Sequence, residues 1–506
     1  MRVHLVNPSD LSFGISIITP RWAYVLANRT PAEFGTPNII DEVLAQADFS
    51  RIQPGDLVGI GIHTMNAHRG YAVGRLARAR GAYVVFGGIH TSLYPEESFE
   101  HGAAHAVVQG DGDTIWPEVL NDFAHGRPRR IYFAGRVEGD RFGSGRWDLA
   151  PRKYMWATVQ TSRGCPKHCS FCSVWRIDGQ RSRMRPHDDV IRECVELRRR
   201  GFRFIFLADD NFYPATLGDI ALAERNGHTE RAAELRALRQ NRLDLLSAME
   251  KLPGDMIFFT QITLEAADDI ELLQAMRRAR LRGVGVGIEA ITPEGLKSVY
   301  KEFNPAGGAL VEKLQRFAEH QVSVFGAFMF GLPTDRPETF DATADLAQQA
   351  GVTMAQFSII TPFPGTLQFE RWAKDERTRA QEVDGVPLTR YWLIPREKRP
   401  RLYADHPSMS EQEILERTRA VWKRYYGWRQ VWERAHAARK FRSRLAILLA
   451  SKLLEQMYAS TAIGRTRSKS RWTPLLGRLC LRLFQARPMP ELEIPEPART
   501  RAASAR

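Results

Sequence analysis

Three cysteines in the segment TSRGCPKHCSFCSVW, Cys165, Cys169 and Cys172, are separated by three and then two residues, directly after a stretch that reads as a strand. Three thiolates on one tight loop can ligate three irons of a [4Fe–4S] cluster and leave the fourth iron without a protein ligand. A cluster held wholly by cysteine uses four thiolates, and a structural zinc site also wants four closed ligands. The open iron is therefore the chemical point of the spacing, because a small molecule can coordinate there. His168 is the one nearby candidate for a zinc ligand, but it lies between two of the cysteines and is poorly placed to converge on their metal. Cys194, in a helical stretch, and Cys480, in the basic tail, read as ordinary small core residues.

The elements that must hold this loop are legible as two alternating domains. With 506 residues, 43% hydrophobic and 26% charged, the chain is long enough for several cores and ordinary enough in composition to fold. Residues 1–145 alternate strand and helix. LVGIGIHT (57–64) and AYVVFGGIHT (82–91) are apolar, β-branched runs of the kind buried on both faces of a parallel sheet, with a helical stretch between them. A doubly wound, Rossmann-like α/β domain is expected. The Arg- and Gly-rich stretch 126–151 is the candidate linker. Strand candidates at 157–160, 204–208, 256–262, 284–288, 324–330 and 355–360 then predict a partial β/α barrel over 146–385, with an inserted helical region at 214–255. A helical basic region over 386–487 and a disordered tail at 488–506 complete the expected organisation.

On these residues the chain resembles the radical S-adenosylmethionine (SAM) superfamily, whose cluster loop has this cysteine spacing with an aromatic residue, here Phe171, before the last cysteine. The resemblance runs over roughly 151–380. It implies that Asp209 and Asp210 of LADDNF hold the SAM amino group and that Gly285, Gly287 and Glu289 of GVGIEA contact its ribose and adenosine. GAFMFGLPTD (326–335) and TPFPGT (361–366) resemble the last two strands of that core. All of these fall at C-terminal strand ends, where β/α barrels assemble their sites. The activity implied is one-electron cleavage of SAM to a 5′-deoxyadenosyl radical.

GGIHTSLYPEE (87–97) and VVQGDGDTIWPEVL (107–120) resemble the cobalamin-binding domain that precedes the radical core in the B12-dependent branch. The implied cobalamin contacts are Thr64, Gly87, Gly88, His90, Gly110 and Gly112, at the strand ends where doubly wound sheets bind ligands. No Asp-x-His-x-x-Gly motif occurs in residues 1–150, so cobalamin is expected without a motif histidine on cobalt; His63 and His90 are the strand-end imidazoles. The implied reaction is methylation of an unactivated carbon of secondary or lipid metabolism, using two SAM molecules per turnover. The alternatives are B12-dependent oxidative cyclisation or rearrangement and, in another class, a non-catalytic iron–sulfur electron-transfer protein.

Net charge is +14, and the last 76 residues hold 16 Lys/Arg against 5 Asp/Glu, so the body is nearly neutral. The basic, aromatic C-terminal region reads first as a helical cover over the barrel mouth, then as a peripheral membrane surface; nucleic acid is the least favoured partner, with no recognition motif present. RSRMRP (181–186) reads as a neighbour of the cluster loop or a plain turn. The start lacks the charged head and apolar stretch of a secretory signal, and Leu445–Ala450 is too short to span a bilayer. A cytoplasmic enzyme is expected, taking a small-molecule substrate and electrons from a flavodoxin or ferredoxin.

Overall fold

A computed structural model describes residues 1–403, 405–436, 441–458 and 473–495. In chain order its strands are β1 (Val3–Asn7), β2 (Ser16–Ile18), β3 (Asn38–Asp41), β4 (Leu57–Gly61), β5 (Tyr83–Gly87), β6 (Ala106–Gly110), β7 (Ile131–Gly135) and β8 (Tyr154–Val159). They continue with β9 (Ser162–Arg163), β10 (Arg183–Met184), β11 (Phe204–Leu207), β12 (Ile257–Ile262), β13 (Leu281–Glu289), β14 (Ser323–Phe330) and β15 (Met354–Ile359).

The first sheet is parallel in the order β3-β1-β4-β5-β6-β7. Val58, Ile60, Val84 and Phe86 pack on one face and Leu57 and Val85 on the other, which is why these strands read as continuous apolar runs. Strand order reverses between β1 and β4, so the ligand crevice of such a sheet opens at the ends of those two strands. The expected linker contains β7. It is an edge strand of only five residues, IYFAG between Arg130 and Arg136, with Phe133 at its centre 77% exposed.

The second sheet runs β15-β14-β13-β12-β11-β8-β2, a curled parallel half-barrel containing all six predicted strands. Its edge strand β2 comes from the first twenty residues and pairs Ser16 with Tyr154 and Ile18 with Trp156. The two units are therefore stitched together upstream of any boundary near residue 145. Thr19 Oγ1 lies 2.7 Å from Thr158 Oγ1, Tyr154 donates to Asp41 at 2.9 Å, and Arg21 meets the fully buried Glu193 at 2.7 Å. The predicted insertion is the helix pair Leu217–Arg225 and Thr229–Glu250.

The described C-terminal helices are Glu411–Tyr425, Trp428–Ala435, Phe441–Tyr458 and Thr473–Phe484. The last of these sets Phe484 against Phe204 (4.6 Å between ring centroids) and Trp156 (6.0 Å). Those rings lie on the sheet face opposite the helix His187–Arg199, which packs on Ala157 and Ile205, so the tail fills the concave side near the N-terminal strand ends. The site at the other end is left uncovered by this helix. Residues 488–495, expected to be disordered, are docked: Met489 N–H donates to Arg199 O (2.9 Å) and Arg199 Nε to Leu492 O (2.8 Å). The rest of that tail, 496–506, lies outside the described residues. Among the described residues no helix is long and apolar enough to cross a membrane.

Candidate active site

The chain leaves β8, makes the two-residue ribbon β9 with β10, and turns at Gly164 into the cysteine loop. Gly164 sits at φ +95°, and a Cβ there would come within 2.6 Å of Arg181 O, so only glycine allows this turn. Backbone bonds close the loop. Cys165 N–H donates to Gly179 O (3.1 Å), Ser170 N–H to Val299 O (3.1 Å), and Trp175 Nε1 to Cys169 O (3.1 Å).

Cys169 is buried; Cys165 and Cys172 are half-buried. Burial pushes all three thiols up, Cys172 to about 12; Cys169 adds to the rise at Cys165, Cys169 and Cys165 add to it at Cys172, and Glu289 adds to it at Cys169. The Lys301 ammonium opposes this at each of them. Such a set fits a group that binds thiolates and spreads their charge over several metals. Among the described residues no three His, Cys, Asp or Glu side chains converge on a single-ion site, and the exposed His168 turns toward the Tyr300 ring, 6.5 Å away. Phe171 packs with Ala290, Leu296, Val299, Leu332 and Ile360, anchoring the loop to the ends of β13 and β14.

The two predicted aspartates part company. Asp209 is 1% exposed, and its oxygens accept from the Thr161 and Ser162 amides (2.6 and 2.9 Å) and from the Thr161 hydroxyl. The wholly buried Arg242, from the inserted helix Thr229–Glu250, donates to that hydroxyl at 2.8 Å and balances the Asp209 charge. Asp209 thus holds the root of the cysteine loop with both of its oxygens engaged. Asp210 is half-buried and takes one bond, from Gly164 N–H at 2.8 Å; burial pushes its pKa up to about 6.

At the end of β13, Glu289 is held at φ +67° with a register shift between Gly287 and Glu289, and its carboxylate meets Lys301 Nζ at 2.9 Å. A Cβ on Gly287 would strike both partners of that pair. Burial would lower the Lys301 pKa, but Glu289 and Cys169 beside it outweigh burial and hold it raised. Lys301 escaped sequence reading because a lone lysine twelve positions after Glu289 carries no local signal. Gly285 faces Gln261 and Phe259 at ordinary contact distance.

In the first domain, His90, expected as a cobalamin contact, lies in the core. It is fully buried, with Nδ1 3.3 Å from Thr64 Oγ1 and Nε2 3.3 Å from Glu97 Oε2, and Glu97 also accepts from Trp392 (2.8 Å) and Tyr71 (3.2 Å). Thr64 is thereby turned inward as well. His63, at the end of β4 beside the switch point, is exposed, and burial of its surroundings together with His90 pushes its pKa down to about 4, leaving a neutral imidazole. Gly88 and Gly110 are required as glycines by the backbone. Both have positive φ, and a Cβ would collide with Ile62 backbone at Gly88 and with Gly135 backbone at Gly110. Gly87 and Gly112 have room for one. RSRMRP is a neighbour of the cysteine loop: Arg183 and Arg185 are buried beside it.

Residues 159–347 match the family model described as the radical SAM superfamily, so the middle of the chain is a radical SAM domain. The chain is 26% identical over 355 residues to bacteriochlorophyllide d C-12(1)-methyltransferase of Chlorobaculum tepidum, covering 67% of this chain and 70% of that protein. It is 23% identical over 471 residues to the anaerobic magnesium-protoporphyrin IX monomethyl ester cyclase of Rubrivivax gelatinosus, covering 84% and 77%. Its fold is similar to that of the cobalamin-dependent S-adenosylmethionine radical enzyme OxsB with aqua-cobalamin and S-adenosylmethionine bound, with TM-score 0.64, 12% identity, and coverage of 95% of this chain and 79% of that one.

Proposed function

We propose that this chain, a radical SAM enzyme, is a cobalamin-dependent methyltransferase acting on an unactivated carbon of a small, largely apolar molecule. The observation that carries the reading is the placement of Cys165, Cys169 and Cys172 on one loop at the C-terminal mouth of the half-barrel, with the strand ends of a doubly wound domain fastened to that same loop.

Cys165, Cys169 and Cys172 would hold a [4Fe–4S] cluster by three of its irons. When bound, that cluster supplies the electron that breaks a carbon–sulfur bond of SAM, and cobalamin supplies a methyl carrier. The residues around them divide the remaining work. Asp210, whose carboxylate keeps an oxygen beyond its single bond to Gly164, is assigned to the SAM amino group, while Asp209 and Arg242 keep the loop in place behind it. Lys301 offsets the negative charge that three thiolates bring into a buried site. Gly285, Gly287 and Glu289 form the wall assigned to ribose and adenosine. Phe206, Phe259 and the bare inner face of β13 offer an apolar floor rather than charge, which suits the substrate class and keeps water from a reactive radical. Cobalamin is assigned to the crevice at the ends of β1, β4 and β5, where His63 and Gly87 stand open and His90 does not.

A second reading is oxidative cyclisation without methyl transfer. The cyclase relative favours it, since that match spans 84% of the chain against 67% for the methyltransferase. For either reading a flavodoxin or ferredoxin is the electron donor we assign. Trp428 and Phe441, 65% and 68% exposed on basic C-terminal helices, are the surface we assign to peripheral membrane contact.

Anaerobic reconstitution tests the proposal. About four irons and one cobalamin should bind per chain, SAM should perturb the cluster spectrum, and 5′-deoxyadenosine should form. A cluster that forms and ignores SAM refutes the enzyme reading. Transfer of label from trideuteromethyl-SAM to product separates methylation from cyclisation.

A further inference from the structure

The motif QGDGD at the end of β6 resembles a ligand-binding turn, yet its carboxylates face the second domain. Asp113 receives Arg163 Nη2 at 2.9 and 3.1 Å, and Asp111 receives Arg163 Nη1 at 3.1 Å. Arg163 stands two residues before the first cluster cysteine. From β10, Arg183 reaches Asp111 at 2.8 Å, and the ribbon pairs Arg183 directly with Arg163. Both guanidinium groups lie over the Phe142 ring, at 4.1 and 5.7 Å. Backbone N–H groups of Val137 and Gly143 fill the remaining acceptor sites on Asp111 (2.9 Å) and Asp113 (3.1 Å). The four charged side chains are between 3% and 13% exposed.

We infer that Asp111, Asp113, Arg163 and Arg183 form the joint that sets the distance between the first domain and the cluster loop, with Arg163 a positioning residue of the reaction. Two guanidinium groups face the Asp111 and Asp113 carboxylates, so their charges offset one another in a buried place, and Asp178 stands 3.8 Å from Arg183 at the more open edge; every oxygen of Asp111 and Asp113 is engaged, so the pair is not a cation site. Arg163 uses its rigid fork on two separate carboxylates, a geometry a lysine's single point charge cannot reproduce. Because Arg163 is adjacent to Gly164, whose φ admits only glycine, a shift at the joint passes into the loop with little slack. A misplacement of about 1 Å between reacting groups is worth on the order of a hundredfold in rate. The role in methyl transfer rests on the reading given above, but the joint itself does not.

The test uses the full chain, reconstituted with iron and sulfide, carrying a nitroxide on Ala124→Cys at the exposed end of the first domain's helix Trp116–Ala124. Pulsed dipolar EPR then reads the distance from nitroxide to reduced cluster. The labelled protein should give one narrow distribution. Arg163→Lys and Asp113→Asn should each broaden or lengthen it while iron content and the SAM-induced change in the cluster spectrum persist, and Asp113→Glu should recover most of the narrow peak. If Asp113→Asn fails to fold, Arg163→Lys alone decides, since it keeps the charge. Distributions unchanged in fully loaded variants overturn the joint. Cobalamin content of the wild-type chain is measured in the same samples: its absence, with broadening still seen, would sink the methyltransferase reading and leave the joint standing.

Discussion

Glu193 is the place to test whether the stitched domains share one stability. It is fully buried and accepts from Arg21 at 2.7 and 3.1 Å, from Gly145 N–H at 2.7 Å, from Trp147 Nε1 at 2.9 Å, and from Arg185. Its partners come from the first domain, the connecting segment and the ribbon beside the cysteine loop. Burial works to raise its pKa, and Arg21 and Arg185 outweigh burial and hold it at about 2 against an unfolded value of 4.5. Because the folded value is depressed, the stabilisation is complete above pH 4.5 and is lost as pH falls toward 2. A difference of two to three pKa units corresponds to about 3 kcal/mol, of which about 2 kcal/mol should vanish between pH 4.5 and pH 3. Glu193→Gln should cost about 3 to 5 kcal/mol at pH 7, since it leaves two buried guanidinium groups short of charge. Urea unfolding of wild type and variant from pH 7 to pH 3 measures both quantities. The two curves should approach each other below pH 4.5. Curves that stay parallel would show that the Glu193 carboxylate does not titrate with folding, and the pairing argument would fall.

Replacing Cys165, Cys169 or Cys172 by alanine should each abolish the intact cluster and the SAM response, read by iron content and EPR, whereas Cys194→Ala should keep both and lose only core packing. Lys301→Met removes a buried positive charge beside the thiolates, so the cluster midpoint potential should fall by on the order of 60 mV, about 1.4 kcal/mol for one electron, in a redox titration; an unchanged potential would mean that Lys301 does not act on the cluster. His90→Ala should destabilise the first domain by about 2 kcal/mol or more in thermal unfolding, because it strips partners from the buried Glu97. His63→Ala should leave stability within about 0.5 kcal/mol and change the EPR spectrum of bound cob(II)alamin. The reverse pattern would reassign the two histidines.

What was legible in the sequence had a short-range cause. The six barrel strands carry short runs rich in apolar and β-branched residues whose alternate side chains are buried under the helices, and the cysteine loop is visible because its geometry demands three residues of one type within eight positions. What stayed hidden depends on partners far away in the chain. β2 is three residues long and gains its meaning from Tyr154 and Trp156, more than a hundred positions later. The same distance governs the glycines and aspartates. Gly88 and Gly110 were legible as positions that reject a side chain, and the atoms a Cβ would meet there are neighbouring backbone. Asp209 and Asp210 are adjacent in sequence and similar in type, and only burial distinguishes the one that closes the loop from the one left open to a ligand. A strand end in a parallel sheet has to satisfy both its own loop and whatever binds above it. Motif residues there therefore divide between the two tasks, and the division follows from which polar atoms the fold has already saturated: Asp209 and His90 are used up, Asp210 and His63 are not.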